Sequence, residues 1–172
     1  TKNDLDKIID LANNCKIEIK YIDAIQHIFV DGDDVTSYIR TPEVSIGASD
    51  VSAIPGVRDA LLSIQRNIAS VNNVLMDGRD IGTVVLPNAT VKIFLTASIS
   101  ERAKRRYKEM LEKGLECNYE NIMNDISYRD YQDSNRSVAP LKPADNSIIF
   151  DNSNYTFEES VDNLYKLIKE KF

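Results

Sequence analysis

The stretch Val74–Ser98, VLMDGRDIGTVVLPNATVKIFLTAS, decides the reading of the fold. It sets Asp77-Gly78-Arg79-Asp80 between two apolar runs, and both runs read as buried strands. A plain loop needs Gly, Asn or Asp, but it has no need of an Arg followed directly by an Asp. That pair points to something polar held at the end of a strand. The second run, TVKIFLTA (Thr90–Ala97), is near-continuously apolar, as expected for a parallel strand covered on both faces.

Working outward, PGVRDALLSIQRNIAS places Val57, Leu61, Leu62, Ile64 and Ile68 on a helical stripe, which Asn72-Asn73 breaks before the short strand VLM. On the other side, SISERAKRRYKEMLEKG reads as a helix with Ser98 or Ser100 as cap, Glu101 in its first turn and Gly114 as its stop. NYENIMNDISYRDYQDSNR is a further helix, SIIFDNS a third strand and TFEESVDNLYKLIKEKF a closing helix. Helix and strand alternate, so the expected class is α/β with mostly parallel strands. Ligands in such sheets sit beyond the carboxyl ends of the strands, which is where Asp-Gly-Arg-Asp follows VLM. Nearer the start, Leu5, Ile8, Ile9 and Ala12 share a helical face. Residues 16–40 then read as a small antiparallel excursion: Ile17, Ile19 and Tyr21 alternate, Ile28 and Val30 follow, and Asp31-Gly32 signals a hairpin. Thr41-Pro42 disfavours a continuing helix or a central strand.

The 172 residues suffice for one core or for a core with an inserted lobe. Hydrophobic residues make up 42% and charged residues 28%, an ordinary globular balance. A net charge of -6 argues against a general nucleic-acid binder, though a local cluster of arginines can still take one small anion. No apolar run is long enough to span a bilayer. Cys15 and Cys117 lie far apart and the one histidine, His27, has no evident catalytic partner, so neither a zinc site nor a disulfide framework is expected and a cytoplasmic setting is the simplest.

The charges converge in four places. In YRDYQDSNR, helical spacing puts Arg129, Asp133 and Arg136 on one face. This reads either as a surface ion-pair ladder or as guanidinium forks that grip phosphate while the carboxylate accepts from a sugar hydroxyl. In SERAKRRYKEM, Arg102, Arg105 and Arg106 share a face, a pattern that most often marks a solvated helix. In GASDVSAIPGVR, Ser49 and Arg58 bracket a Pro-Gly helix start, and each also reads as a local turn or first-turn residue. The fourth is Arg79-Asp80 itself.

Together and in this order, these pieces resemble the bacterial cytidylate kinases, the CMP/dCMP kinases of the nucleoside monophosphate kinase group. The carrying segments are YIRTPEVSIGASDVSAIPGVRDALLSIQR, MDGRDIGTVVLPNATVKIFLTAS, ERAKRRY and YRDYQDSNRSVAPLKPADNSIIFD. The resemblance implies a P-loop kinase-like parallel sheet between helices, with a small antiparallel nucleotide-binding insert and a helical lid. It divides the chain into a core helix (1–15), a CMP-binding insert (16–48), core (49–101), a lid region (102–137) and core again (138–172).

Carried over by position, Asp80 and Arg58 would read the cytosine edge with help from Ser49. A carboxylate that accepts from the exocyclic amine tells cytosine from uracil, which offers an acceptor there. Arg79 would hold the monophosphate with Arg136 assisting, and Asp133 and Arg129 would contact the sugar. Arg102, Arg105 and Arg106 would approach ATP phosphates and, with Arg136, stabilise charge on the transferred group. Arg40 matches the family's IRT and takes no assigned role. The implied reaction moves the γ-phosphoryl group of Mg-ATP onto CMP or dCMP, with no covalent enzyme intermediate and no general base, because the acceptor is already a phosphate oxygen.

One departure is large: no G-x-x-x-x-G-K-[ST] loop occurs in these residues. In the family that loop precedes the helix with which this sequence opens, so roughly fifty residues, with a Ser and an Arg that contact CMP, are expected to be missing. A sheet without its central strand is expected to expose apolar surface and to self-associate, and the chain alone to have little turnover. Two rivals stand beside a CMP kinase: a non-catalytic CMP-binding or assembly module, and a kinase for another monophosphate such as UMP or AMP. Neither nucleic acid nor membrane is an expected partner.

Overall fold

The structure is a computed structural model that describes residues 2–39 and 41–172, with side chains for all of these except residues 2, 3, 42, 43, 45, 46 and 49. The chain divides into two units, one up to Leu75 and one from Met76 onward.

In the first unit, α1 (Lys2–Asn14) is followed by three antiparallel strands, β1 (Ile17–Ile22), β2 (Ile25–Val30) and β3 (Asp33–Asp34). The register pairs Ile17 with Val30 and Ile19 with Ile28, so the alternation read along the sequence lines one face of the ladder. Both turns are two residues long with left-handed backbone at each position. Asp31 (φ 52) and Gly32 (φ 94) make the expected one. The other, Asp23 (φ 51) and Ala24 (φ 63), uses no glycine and carries no sequence signal for that reason.

Among the described residues no helix or strand continues through Thr41-Pro42, and the pair also begins a new helix. Thr41 caps α2 (Pro42–Ser52), its hydroxyl accepting from the Val44 N–H, and Pro42 occupies the first turn, where a missing N–H costs nothing. The same device starts α3 (Pro55–Val71) with Pro55. A Cβ on Gly56 would come within 2.9 Å of the Ile9 side chain, so this glycine lets α3 approach α1. Leu5, expected on the packed face of α1, is instead 46% exposed.

In the second unit, β4 (Ile93–Thr96) leads into α4 (Ile99–Glu112), α5 (Tyr119–Asn135), β5 (Ile148–Asp151) and α6 (Phe157–Lys169). β4 and β5 pair in parallel, Ile93 opposite Ile148 through Thr96 opposite Asp151. Ser98 caps α4 and Gly114 (φ 70) follows its last residues, both as the sequence implies. α4 packs on α5, where Tyr107 and Tyr119 meet edge to face. Thr156 and Glu159 close α6 with a reciprocal capping box. Val85, Ala97, Ala103, Ile122 and Phe150 are buried, and Phe150 stacks on Tyr155.

Two strand expectations change. VLM (Val74–Met76) joins no ladder among the described residues, and Leu75 is 88% exposed. β4 is only four residues long and is not covered on both faces: Leu95 and, on β5, Ile149 stay 54% and 64% exposed. In a sheet of two strands each strand is an edge, so apolar composition alone does not secure cover. No helix among the described residues is long and apolar enough to cross a membrane.

Candidate active site

Arg79 and Asp80 are fixed by the turn that follows them. Ile81–Val85 forms one π-helical turn with Asp80 as its leading cap. The Asp80 carbonyl accepts from the Val84 N–H at 2.8 Å and from those of Thr83 and Val85 at 3.3 Å. Two glycines make this winding feasible. A Cβ on Gly78 would lie 2.8 Å from the Ile81 side chain, and one on Gly82 would lie 3.2 Å from the Ala144 Cβ. The second glycine brings the turn against the segment that leads into β5.

From this turn Arg79 reaches two carboxylates of α5. Its Nε lies 3.3 Å from Asp133 Oδ2 and its Nη1 3.7 Å from Asp130 Oδ1. Asp133 also meets Arg129 (Nε, 3.9 Å) and Arg136 (Nη1, 3.4 Å). Asp130 takes Arg102 of α4 through two bonds, Nη1 at 3.1 Å and Nη2 at 2.5 Å. Arg136 is itself braced by donating from Nε to the Ala139 carbonyl at 2.7 Å, and Arg102 by donating to the Ala97 carbonyl at 3.0 Å. Four guanidiniums thus face two carboxylates, an excess of two positive charges. The Asp133 side chain is only 13% exposed, and its Oδ2 is buried without a hydrogen bond among the described residues. Its arginine neighbours supply charge but no aligned donor, which leaves an acceptor ready for a hydroxyl. The cluster can therefore take a dianion such as a phosphate monoester with an adjacent hydroxyl.

A sequence model of the cytidylate kinase family matches residues 1–170. The chain belongs to the cytidylate kinase family. It is 47% identical over 165 residues to the cytidylate kinase of Caldicellulosiruptor saccharolyticus, a match covering 96% of this chain and 73% of that protein. It is 45% identical over 164 residues to that of Lactobacillus gasseri (95% and 71% covered). With the cytidylate kinase of Streptococcus gordonii it shares 48% identity over 172 residues (99% and 75% covered). The α/β architecture, with its parallel strands, helices and small antiparallel sheet, is consistent with a P-loop nucleoside monophosphate kinase fold.

The other residues singled out from the sequence have partners of their own or fall outside the described residues. Ser49 falls within α2, its side chain outside the described residues, as is Arg40 altogether. Arg58 stands in the first turn of α3 and donates to the Ser52 carbonyl at 3.2 Å, closing off the end of α2. Arg105 donates to the Asn152 carbonyl at 2.7 Å and to Asn152 Oδ1 at 3.1 Å, tying α4 to the turn after β5. Arg106 pairs with Glu109 at 2.9 Å. Lys113 first, then Arg106, holds the Glu109 carboxyl below its usual range.

His27 does have a carboxylate partner: its Nδ1 lies 2.7 Å from Asp34 Oδ2. Asp34 is engaged mainly by Thr36, however, whose hydroxyl and N–H donate to Oδ1. Asp130 is not among the residues that the sequence singles out. Its signal was faint: a carboxylate three residues before Asp133, hence on the same face of α5.

Proposed function

We propose that this cytidylate kinase homologue takes CMP or dCMP as acceptor and ATP as donor, giving CDP or dCDP. The observation that supports this best is the Arg79–Asp133 cluster, with two surplus positive charges around a buried carboxylate oxygen that accepts no hydrogen bond among the described residues. Arg79 and Arg136 hold the acceptor phosphate, while Asp133 and Arg129 take the sugar. Ser49, Arg58 and Asp80 read the base, roles that the family resemblance implies. An acceptor phosphate oxygen bonds to the γ-phosphorus as the bond to the β–γ bridging oxygen breaks, and ADP leaves with that electron pair. Arg102, Arg105 and Arg106 are assigned to ATP phosphates, and Arg136 to the charge on the transferred group. Mg2+ enters as part of the ATP substrate, and no carboxylate of the chain is assigned to it. Catalysis then rests on positioning and charge neutralisation, in a cytoplasmic setting.

These residues contain no G-x-x-x-x-G-K-[ST] run, the element that cradles ATP phosphates, so the 172-residue chain alone is expected to form CDP slowly. Rapid CDP formation by the purified chain would contradict that part. For the acceptor site the test compares CMP with cytidine by titration calorimetry. CMP should bind at least about tenfold more tightly, and Arg79→Ala should abolish the difference while sparing cytidine. Equal binding of CMP and cytidine by the unaltered chain would contradict the assignment.

A further inference from the structure

The Arg79 fork spans two carboxylates, of which only Asp133 has so far been given a part. Asp130 faces two guanidiniums from separate segments: Arg102 at 3.1 and 2.5 Å, and Arg79 Nη1 at 3.7 Å. A clamp between α4 and α5 requires only the first of these. The second brings together two like charges, one on the turn that carries Asp80 and one on the first turns of α4, and it is the carboxylate between them that offsets their repulsion. Asp130 lies three residues before Asp133, so the two carboxylates present one face of α5 and set both ends of the Arg79 fork.

We propose that Asp130 is a positioning residue: it aims Arg79 at the acceptor phosphate and keeps Arg102 in register with it. This rests on the acceptor-site reading above. Asp130 need not touch the nucleotide, because it acts through Arg79. A guanidinium flanked by carboxylates at 3.3 and 3.7 Å has fewer favoured orientations than an isolated one, so less rotamer freedom is lost when phosphate binds.

Charge and positioning make opposite predictions for Asp130→Asn. Neutralising a carboxylate raises the positive excess of the site, so charge alone predicts tighter binding of a dianion. Positioning predicts weaker binding. The experiment titrates CMP and cytidine into the full chain, unaltered and as Asp130→Asn and Asp130→Glu, with circular dichroism melts to confirm folding. The expected result is CMP binding weakened about tenfold in Asp130→Asn with cytidine changed less than about twofold, and an intermediate loss in Asp130→Glu. CMP bound equally or more tightly by Asp130→Asn overturns the proposal, and tighter binding does so in favour of charge alone. Equal weakening of CMP and cytidine overturns it in favour of a structural clamp. Should Asp130→Asn unfold, Asp130→Glu decides: CMP weakened and cytidine spared supports the role, and unchanged CMP binding overturns it. If the unaltered chain fails to prefer CMP to cytidine, the acceptor-site reading fails first and the role of Asp130 falls with it.

Discussion

Asp133 meets three guanidiniums on a side chain that is 13% exposed, and there a carboxylate does more than it could on a surface ladder. The spacing of Arg129, Asp133 and Arg136 was legible in the sequence, but the route by which they meet was not. Arg136 is not on the helix; it caps α5 in extended backbone, and the turn through Ala139 carries its fork back to Asp133. Asp130 stayed hidden because its second partner, Arg79, comes from a distant part of the chain, and no local pattern reports such a contact. Asp80 is legible because an Arg-Asp pair has no use in a plain turn, even though the strand expected before it does not form. Its proposed role as reader of the exocyclic amine carries a prediction. Asp80→Asn offers a donor as well as an acceptor, so CMP binding should weaken about tenfold or more while UMP gains relative to it. Competition calorimetry with the two nucleotides checks this, and an unchanged CMP-to-UMP ratio would remove Asp80 from base recognition.

At the scale of elements, local chemistry predicted some boundaries and masked others. Ser98 and Gly114 bound α4 as their types suggest, since each satisfies helix-end groups within its own few residues. The start of α2 is masked because Pro42 signals the end of one element as readily as the first turn of the next, where it is well placed. VLM was read as a strand from its composition, but a strand exists only through a partner, and none pairs with it among the described residues.

The turn that leaves β3 rests on Asp34, whose Oδ1 accepts from the Thr36 hydroxyl and N–H, while the Thr36 hydroxyl oxygen accepts from the Ile28 N–H of β2. Those two Thr36 bonds, more than His27, lower the Asp34 pKa from the ordinary 3.8 to about 2. A lowered carboxylate pKa stabilises the fold above the unfolded value, and the contribution fades as pH falls through the folded one. Protection of the Ile28 amide from hydrogen exchange should therefore decline between about pH 4 and pH 2. In Asp34→Asn that decline should be absent. An identical decline in the variant would mean that another group governs the turn.

At the scale of the whole molecule, a net charge of -6 surrounds one site with an excess of arginine. The bulk charge argues against a general nucleic-acid binder while leaving room for a single small anion, a distinction that composition alone can suggest. The α/β class followed from the alternation of elements, and the parallel pairing of β4 with β5 agrees with it. What composition could not convey was exposure: Leu95 and Ile149 have the residue types of covered strands and yet face outward.

The central claim is that this chain holds a CMP-specific acceptor pocket. The measurement that tests it most directly is a calorimetric titration of the 172-residue chain with CMP, with AMP as the control and no ATP present. CMP should bind and AMP should not. Indifference between the two nucleotides, or binding of neither, would contradict it.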